Sequence, residues 1–211
     1  MAVRAKVLKI DRSHYLFSNR KLFTLIVPLI VEQFLAVLVG MADSIMVATV
    51  GEAAVSGVSL VDSVMLLLIN IFAALATGGA VVSGQYLGRK NQRKACRAAE
   101  QLVWFSAVFS VAIMGLLYLG RGFILHRVFG QIDEDVMGHA NIYFLIVSAS
   151  IPFIAVYNAG AAIFRSMGNS KISMKVSIVM NIINFCGNAT LIYGFHRGTE
   201  GVAIPTLVSR M

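Results

Sequence analysis

Between Leu22 and Val50 the chain reads LFTLIVPLIVEQFLAVLVGMADSIMVATV, without a lysine or an arginine. A helix needs roughly 20 apolar residues to cross the hydrocarbon of a bilayer, and this run exceeds that. Only helices and closed barrels can satisfy their backbone groups in lipid, so the run is restricted to a spanning helix. The pattern then recurs. After the first span at about 22–50, further spans can be drawn at about 53–87, 98–119, 137–164 and 172–193. A sixth begins at 202–211 and stops after about ten residues, too short to cross. Composition agrees, with 58% apolar residues and only 13% charged, where soluble domains carry roughly 25%. The expected fold class is an all-α membrane protein with five complete transmembrane helices and a truncated sixth.

The charges outside the spans alternate. Residues 1–21 form a basic tail with Arg4, Lys6, Lys9, Arg12, Arg20 and Lys21. The stretch after span two carries Arg89, Lys90, Arg93, Lys94 and Arg97, and the one after span four carries Arg165, Lys171 and Lys175. The intervening loops are poor in base: Gly51-Glu52 has none, and Arg121 and Arg127 face Asp133, Glu134 and Asp135. By the positive-inside bias the N-terminus is expected in the cytoplasm and the chain in the cell membrane as a multi-pass protein. The net charge of +8 then reads as a topology signal and a contact to anionic headgroups, so no nucleic-acid partner is expected. The start is basic and mixed, and the run after it is too long for a signal-peptide core, so no cleavable leader is expected. Cys96 and Cys186 fall in a basic loop and in a helix, which argues against a disulfide framework.

Against this apolar background the polar residues inside the spans stand out. Asp43 lies near the middle of the first run, where a carboxylate costs roughly 2.5–3.5 kcal/mol on insertion scales, so its role is expected to be functional. Glu32 precedes it by eleven residues, which returns to within about 20° on a helix, about 16 Å further down. Both acids therefore share one stripe that must face protein or water. Glu32 is open to a hydrogen bond from Gln33 or another helix, or to protonation. In span five, Ser173, Ser177, Asn181, Asn184 and Asn188 follow one another at steps of four, four, three and four, one polar face from end to end. Such amides serve either as links between helices or as the wall of a water-accessible cavity. In span two, Asp62 is followed by Ser63, Asn70 and Thr77, and its position near the outer loop suggests a wet vestibule.

Pro28, Pro152 and Pro205 each fall within a span and predict kinks. Gly78, Gly79, Gly84 and Gly88 lack the phosphate-binding pattern and fit close helix packing instead. The histidines at 14, 126, 139 and 196 show no metal-ligand spacing. Trp104 and the tyrosines near span ends fit an interfacial belt. No nucleophile elbow, H-E-x-x-H or Cys cluster is present, so no enzyme, metal or organic cofactor is expected. The residues alone lead to a polytopic membrane protein of the secondary-transporter kind.

The string PLIVEQFLAVLVGMADSIMVATVGEAAVSGVSLVDSVMLLLINIFAALATGGAVVSGQYLGRKNQRKA resembles the first two helices of the multidrug and toxic compound extrusion (MATE) family, closest to its DNA-damage-inducible branch. AAIFRSMGNSK is similar to the loop after helix four, NIINFCGNATLIYG to helix five, and GVAIPTLVSR to the start of helix six. The resemblance covers about residues 20–211. It implies twelve helices in two six-helix lobes, alternating access, and drug efflux driven by inward H⁺ or Na⁺. On that model, residues 22–211 are the N-terminal lobe and the C-terminal lobe is missing, so a fragment is expected. The resemblance further implies that Asp43 is the helix-one cation site, with Asn184 and Thr206 as companions and Pro28 as the point of bending. Asn188 stands where some members carry a second aspartate, which removes one negative charge and disfavours a tight Na⁺ site. Glu32, Asp62, Asn70 and Asn181 are expected to line the cavity. The implied substrate is an amphiphilic or cationic small molecule. Two alternatives remain open: a flippase for lipid-linked precursors, and a non-transporting fragment that needs a partner lobe. Flippases of this kind tend to carry cationic residues in the cavity, whereas spans one to five show acids and Asn.

Overall fold

The computed structural model describes residues 19–130 and 132–211; the first eighteen residues of the expected tail lie outside it. All regular structure among the described residues is helical. Helix α1 spans Asn19–Ala48, α2 Glu52–Gly88 and α3 Gln92–Leu119. A short helix α4 (Arg121–Phe123) runs into a π-helical turn, Ile124–Val128. Then follow α5 (Glu134–Ser148), α6 (Ile151–Ser166), α7 (Ser170–Ala189) with a π-helical end at Thr190–Gly194, and α8 (Glu200–Arg210). Four helices are long and apolar enough to cross a membrane, and α5 with α6 makes a fifth crossing bent by 48°.

That bend resolves the expected fourth span into two helices. Pro152 is the second residue of α6 and has no N–H to return to the preceding turn, so the helix cannot continue through 149–150. By contrast, α1 and α8 run through Pro28 and Pro205 without interruption, and both prolines are buried. The basic stretch after span two is shorter than expected. Asn91 caps α3 by accepting from the Lys94 backbone N–H at 3.2 Å, so Arg93, Lys94, Cys96 and Arg97 already belong to its first turns. Trp104 consequently lies near the middle of α3 and is exposed, not at a span end.

Packing centres on α2, which lies against α3, α5 and α6, while α1 packs along α7 and α7 against α8. Val61, Phe72, Phe144, Val147 and Val202 fill the main core, and Ala76, Ala80, Leu102, Ala159 and Ala162 make a second, small-residue seam. Two glycines allow the closest crossings. A Cβ on Gly57 would sit 2.8 Å from the Ala140 backbone nitrogen, so α2 touches α5 backbone to backbone. A Cβ on Gly187 would sit 2.7 Å from Cβ of Pro205, so α7 rests directly on α8. The outer face of α1 (Phe23, Ile30, Phe34, Met41, Ile45) remains exposed, as an apolar face toward lipid or further protein must.

Candidate cation and substrate site

The close contact of Gly187 with Pro205 brings the polar face of α7 within reach of α8 on one side and α1 on the other. Ser173, Ser177, Asn184 and Asn188 of that face are all buried. Asn188, fully enclosed, donates from Nδ2 to Oδ1 of half-buried Asp43 at 2.6 Å. Asn184 stands 3.1 Å from both Asp43 carboxylate oxygens and 3.1 Å from Thr206 Oγ1. Thr206 in turn donates to the Val202 carbonyl at 2.8 Å. Thus Asp43, Asn184, Asn188 and Thr206 form one constellation across α1, α7 and α8.

The Asn184 amide can sit two ways, since its oxygen and nitrogen have nearly the same shape. In one, its nitrogen donates to Thr206 Oγ1 and its oxygen accepts from Asn188 Nδ2 at 3.3 Å, but that oxygen then faces the Asp43 carboxylate at 3.1 Å. In the other, its nitrogen donates to Asp43 and its oxygen accepts from Thr206, while the Asn188 contact becomes nitrogen against nitrogen. The first arrangement needs a proton or a cation among its oxygens. The second suits a bare carboxylate.

Asp43 is not at the centre of its helix. Because α1 begins at Asn19, Asp43 lies five residues from its last residue, about 7.5 Å from that end. The acid nearest the midpoint is Glu32. It accepts from Tyr157 Oη of α6 at 3.0 Å and from Ser173 Oγ of α7 at 3.1 Å; Gln33 is exposed and makes no such bond. Asp62 on α2 accepts from Tyr143 Oη of α5 at 2.9 Å. A cavity of about 410 Å³ joins all three acids and also takes in Asn181, Asn184, Thr206 and Arg210. Asn70 is not brought there: it lies on the exposed side of α2, where Ile69 faces the cavity instead.

Four cavity residues escaped the sequence reading. Tyr143 and Tyr157 are the hydroxyl donors to Asp62 and Glu32; each sits six or more residues inside the expected span 137–164, which was the available signal. Arg210 donates to Ser150 Oγ at 2.8 Å and lines the cavity. It is four residues beyond Thr206, so helical spacing already put it on the same face. Asn158 is buried in the wall with its Nδ2 unpartnered, as are Asn181 Nδ2 and Asn188 Oδ1, so the site keeps unused hydrogen-bonding capacity. Among the described residues no group of three or more His, Cys, Asp or Glu is placed to hold a metal.

The family model described as MatE matches residues 28–190, a stretch that contains Asp43, Asn184 and Asn188. The chain belongs to the MatE family. Its MATE relatives include an uncharacterized transporter, YisQ, of Bacillus subtilis, 28% identical over 90% of this chain and 42% of the relative. A probable multidrug resistance protein NorM of Thermotoga maritima is 25% identical over 91% of this chain and 42% of its own length. Among solved structures, a MOP superfamily transporter from Pyrococcus furiosus superimposes with a TM-score of 0.83 at 23% identity, covering 90% of this chain and 42% of that one. The chain thus spans about 42% of the length of these MATE relatives and has the architecture of their N-terminal half. MATE proteins are integral membrane transporters, and the five apolar crossings found here agree with that.

Proposed function

We propose that the chain is the N-terminal lobe of a cation-coupled antiporter that exports amphiphilic, cationic compounds across the cell membrane, with its N-terminus in the cytoplasm and a C-terminal lobe completing the cleft. The observation that carries this reading is the 2.6 Å bond between Asn188 and Asp43, with Asn184 and Thr206 closing the other sides. Asp43 is the coupling group. Asn184 stands 3.1 Å from both the Asp43 carboxylate and Thr206 Oγ1, so the constellation ties the coupling group on α1 to α8. An amide at 188 leaves one negative charge in the constellation, which suits a single H⁺ better than tightly held Na⁺.

The cavity charge supports cationic cargo. Glu32, Asp43 and Asp62 contribute three carboxylates and Arg210 one guanidinium. That balance weighs against a flippase for anionic lipid-linked precursors. The orientation follows the charges: Arg89, Lys90, Arg93, Arg165 and Lys171 gather at one end of the helices, and Glu52, Glu134 and Glu200 begin helices at the other. Reconstitution into vesicles tests the reading. With the C-terminal lobe supplied, a monocationic dye should leave against an imposed pH or Na⁺ gradient; flux equal to empty vesicles contradicts it. The chain alone should give none.

A further inference from the structure

The three acids of the cavity are not equivalent. Asp43 is approached by two amides, Asp62 accepts from Tyr143, and the Arg210 guanidinium acts on both. Glu32 differs. Its two oxygens accept one hydroxyl hydrogen bond each, both from neutral groups. Among the described residues the one ion pair within 4 Å is Arg197–Glu200, so none of the three acids is closely paired, and the Arg210 charge bears on Asp62 and Asp43. Glu32 lies near the midpoint of a 30-residue spanning helix, where an uncompensated carboxylate is costly and attracts a cation. The cavity that Glu32 lines has a mixed wall: Ala36, Ile69, Ile154 and Met180 are apolar, and Tyr157 offers a ring beside its hydroxyl. A cavity that combines a carboxylate with an aromatic ring, a thioether and alkyl groups is chemistry for an organic cation, held by charge, cation–π attraction and apolar contact. The hydroxyls of Tyr157 and Ser173 aim Glu32 across α6 and α7, so the acid is positioned before the ligand arrives.

We infer that Glu32 is the anchor for the positive group of the exported compound, a monovalent organic cation with apolar substituents, and that it divides the work with Asp43, about 16 Å away along α1, which handles the coupling ion. This assignment rests on the efflux reading given above, and its test is separate from that of ion coupling.

The test uses the full chain in lipid nanodiscs, with tetraphenylphosphonium as the permanent monocation and triphenylphosphine oxide as a neutral analogue of similar shape. Wild-type chain should bind the cation saturably. Glu32→Gln, whose single amide oxygen keeps one of the two hydroxyl donors, should weaken tetraphenylphosphonium about 10- to 100-fold, the range of a lost charge-assisted contact, and leave the neutral analogue within about twofold. A wild type without saturable binding, or a Glu32→Gln variant with wild-type affinity, overturns the inference. Loss of binding in Asp43→Asn with full binding in Glu32→Gln overturns it too, while leaving the efflux reading standing. A measurement on the unmodified chain guards against a variant that does not fold. Labelling by a hydrophobic carbodiimide, mapped by mass spectrometry, should be slowed at Glu32 by tetraphenylphosphonium and not by the neutral analogue; equal labelling with and without the cation overturns the assignment.

Discussion

Asn188 Nδ2 lies 2.6 Å from Asp43 Oδ1, a bond that closes 145 residues of sequence and fastens α1 to α7. Neither group can face lipid, so each depends on the other for a partner inside the membrane. The contact exists because α7 presents Asn188 and Asn184 one turn apart on its buried face, and because Gly187 lets that helix settle against α8.

Replacing Asn188 with Asp adds a second carboxylate beside Asp43. Two like charges at hydrogen-bond distance favour whatever cation relieves them. Asn188→Asp should therefore bind Na⁺ at least about tenfold more tightly, a difference of about 1.4 kcal/mol. Isothermal titration with Na⁺ at constant pH measures this; unchanged affinity would mean that residue 188 does not face the ion.

Gly187→Val places side-chain carbon where a Cβ would already be 2.7 Å from the Pro205 ring. Overpacking of this kind costs typically 1–3 kcal/mol. The thermal midpoint should fall by several degrees, since each kcal/mol moves a chain of this size by about 2–4 °C. Gly40→Ala is the control: no atom lies within 4 Å of its added Cβ, and alanine is the better helix former. That midpoint should hold or rise.

Tyr143→Phe removes the donor to Asp62 at 2.9 Å and keeps the ring in the core. Leaving the acceptor unpaired costs about 1–3 kcal/mol. In an Asp62→Leu background the same change should be nearly neutral, so a double-mutant cycle should return a coupling of about 0.5–3 kcal/mol. Additive effects would show that the hydroxyl and the carboxylate act independently.

Much of this arrangement is readable from helical spacing alone. Steps of three and four residues along α7 predict its polar face, and the structure buries Ser173, Ser177, Asn184 and Asn188 on it. The eleven-residue interval likewise puts Glu32 and Asp43 on the same cavity. Spacing within one helix cannot say which other helix supplies the partner. Tyr157 for Glu32 and Tyr143 for Asp62 are tertiary facts, set by the bend before Pro152 and the close crossing at Gly57. Helix ends were also hidden where charge and helix overlap: Arg93, Lys94 and Arg97 read as loop by polarity, yet the Asn91 cap starts α3 ahead of them. The same shift in boundaries moved Asp43 off the helix centre and left Glu32 there. Asn70 shows the opposite limit, since a heptad step from Ser63 names a face without saying whether that face looks inward.

The central claim is that Asp43 couples an ion gradient to export, and its most direct measurement is gradient-driven efflux by Asp43→Asn in the transporter with both lobes present. Asparagine keeps the shape and an acceptor for Asn188 but carries no charge to load or unload. Dye efflux driven by a pH or Na⁺ gradient should fall to the level of empty vesicles, at a membrane expression equal to wild type. Efflux at the wild-type rate would contradict the account.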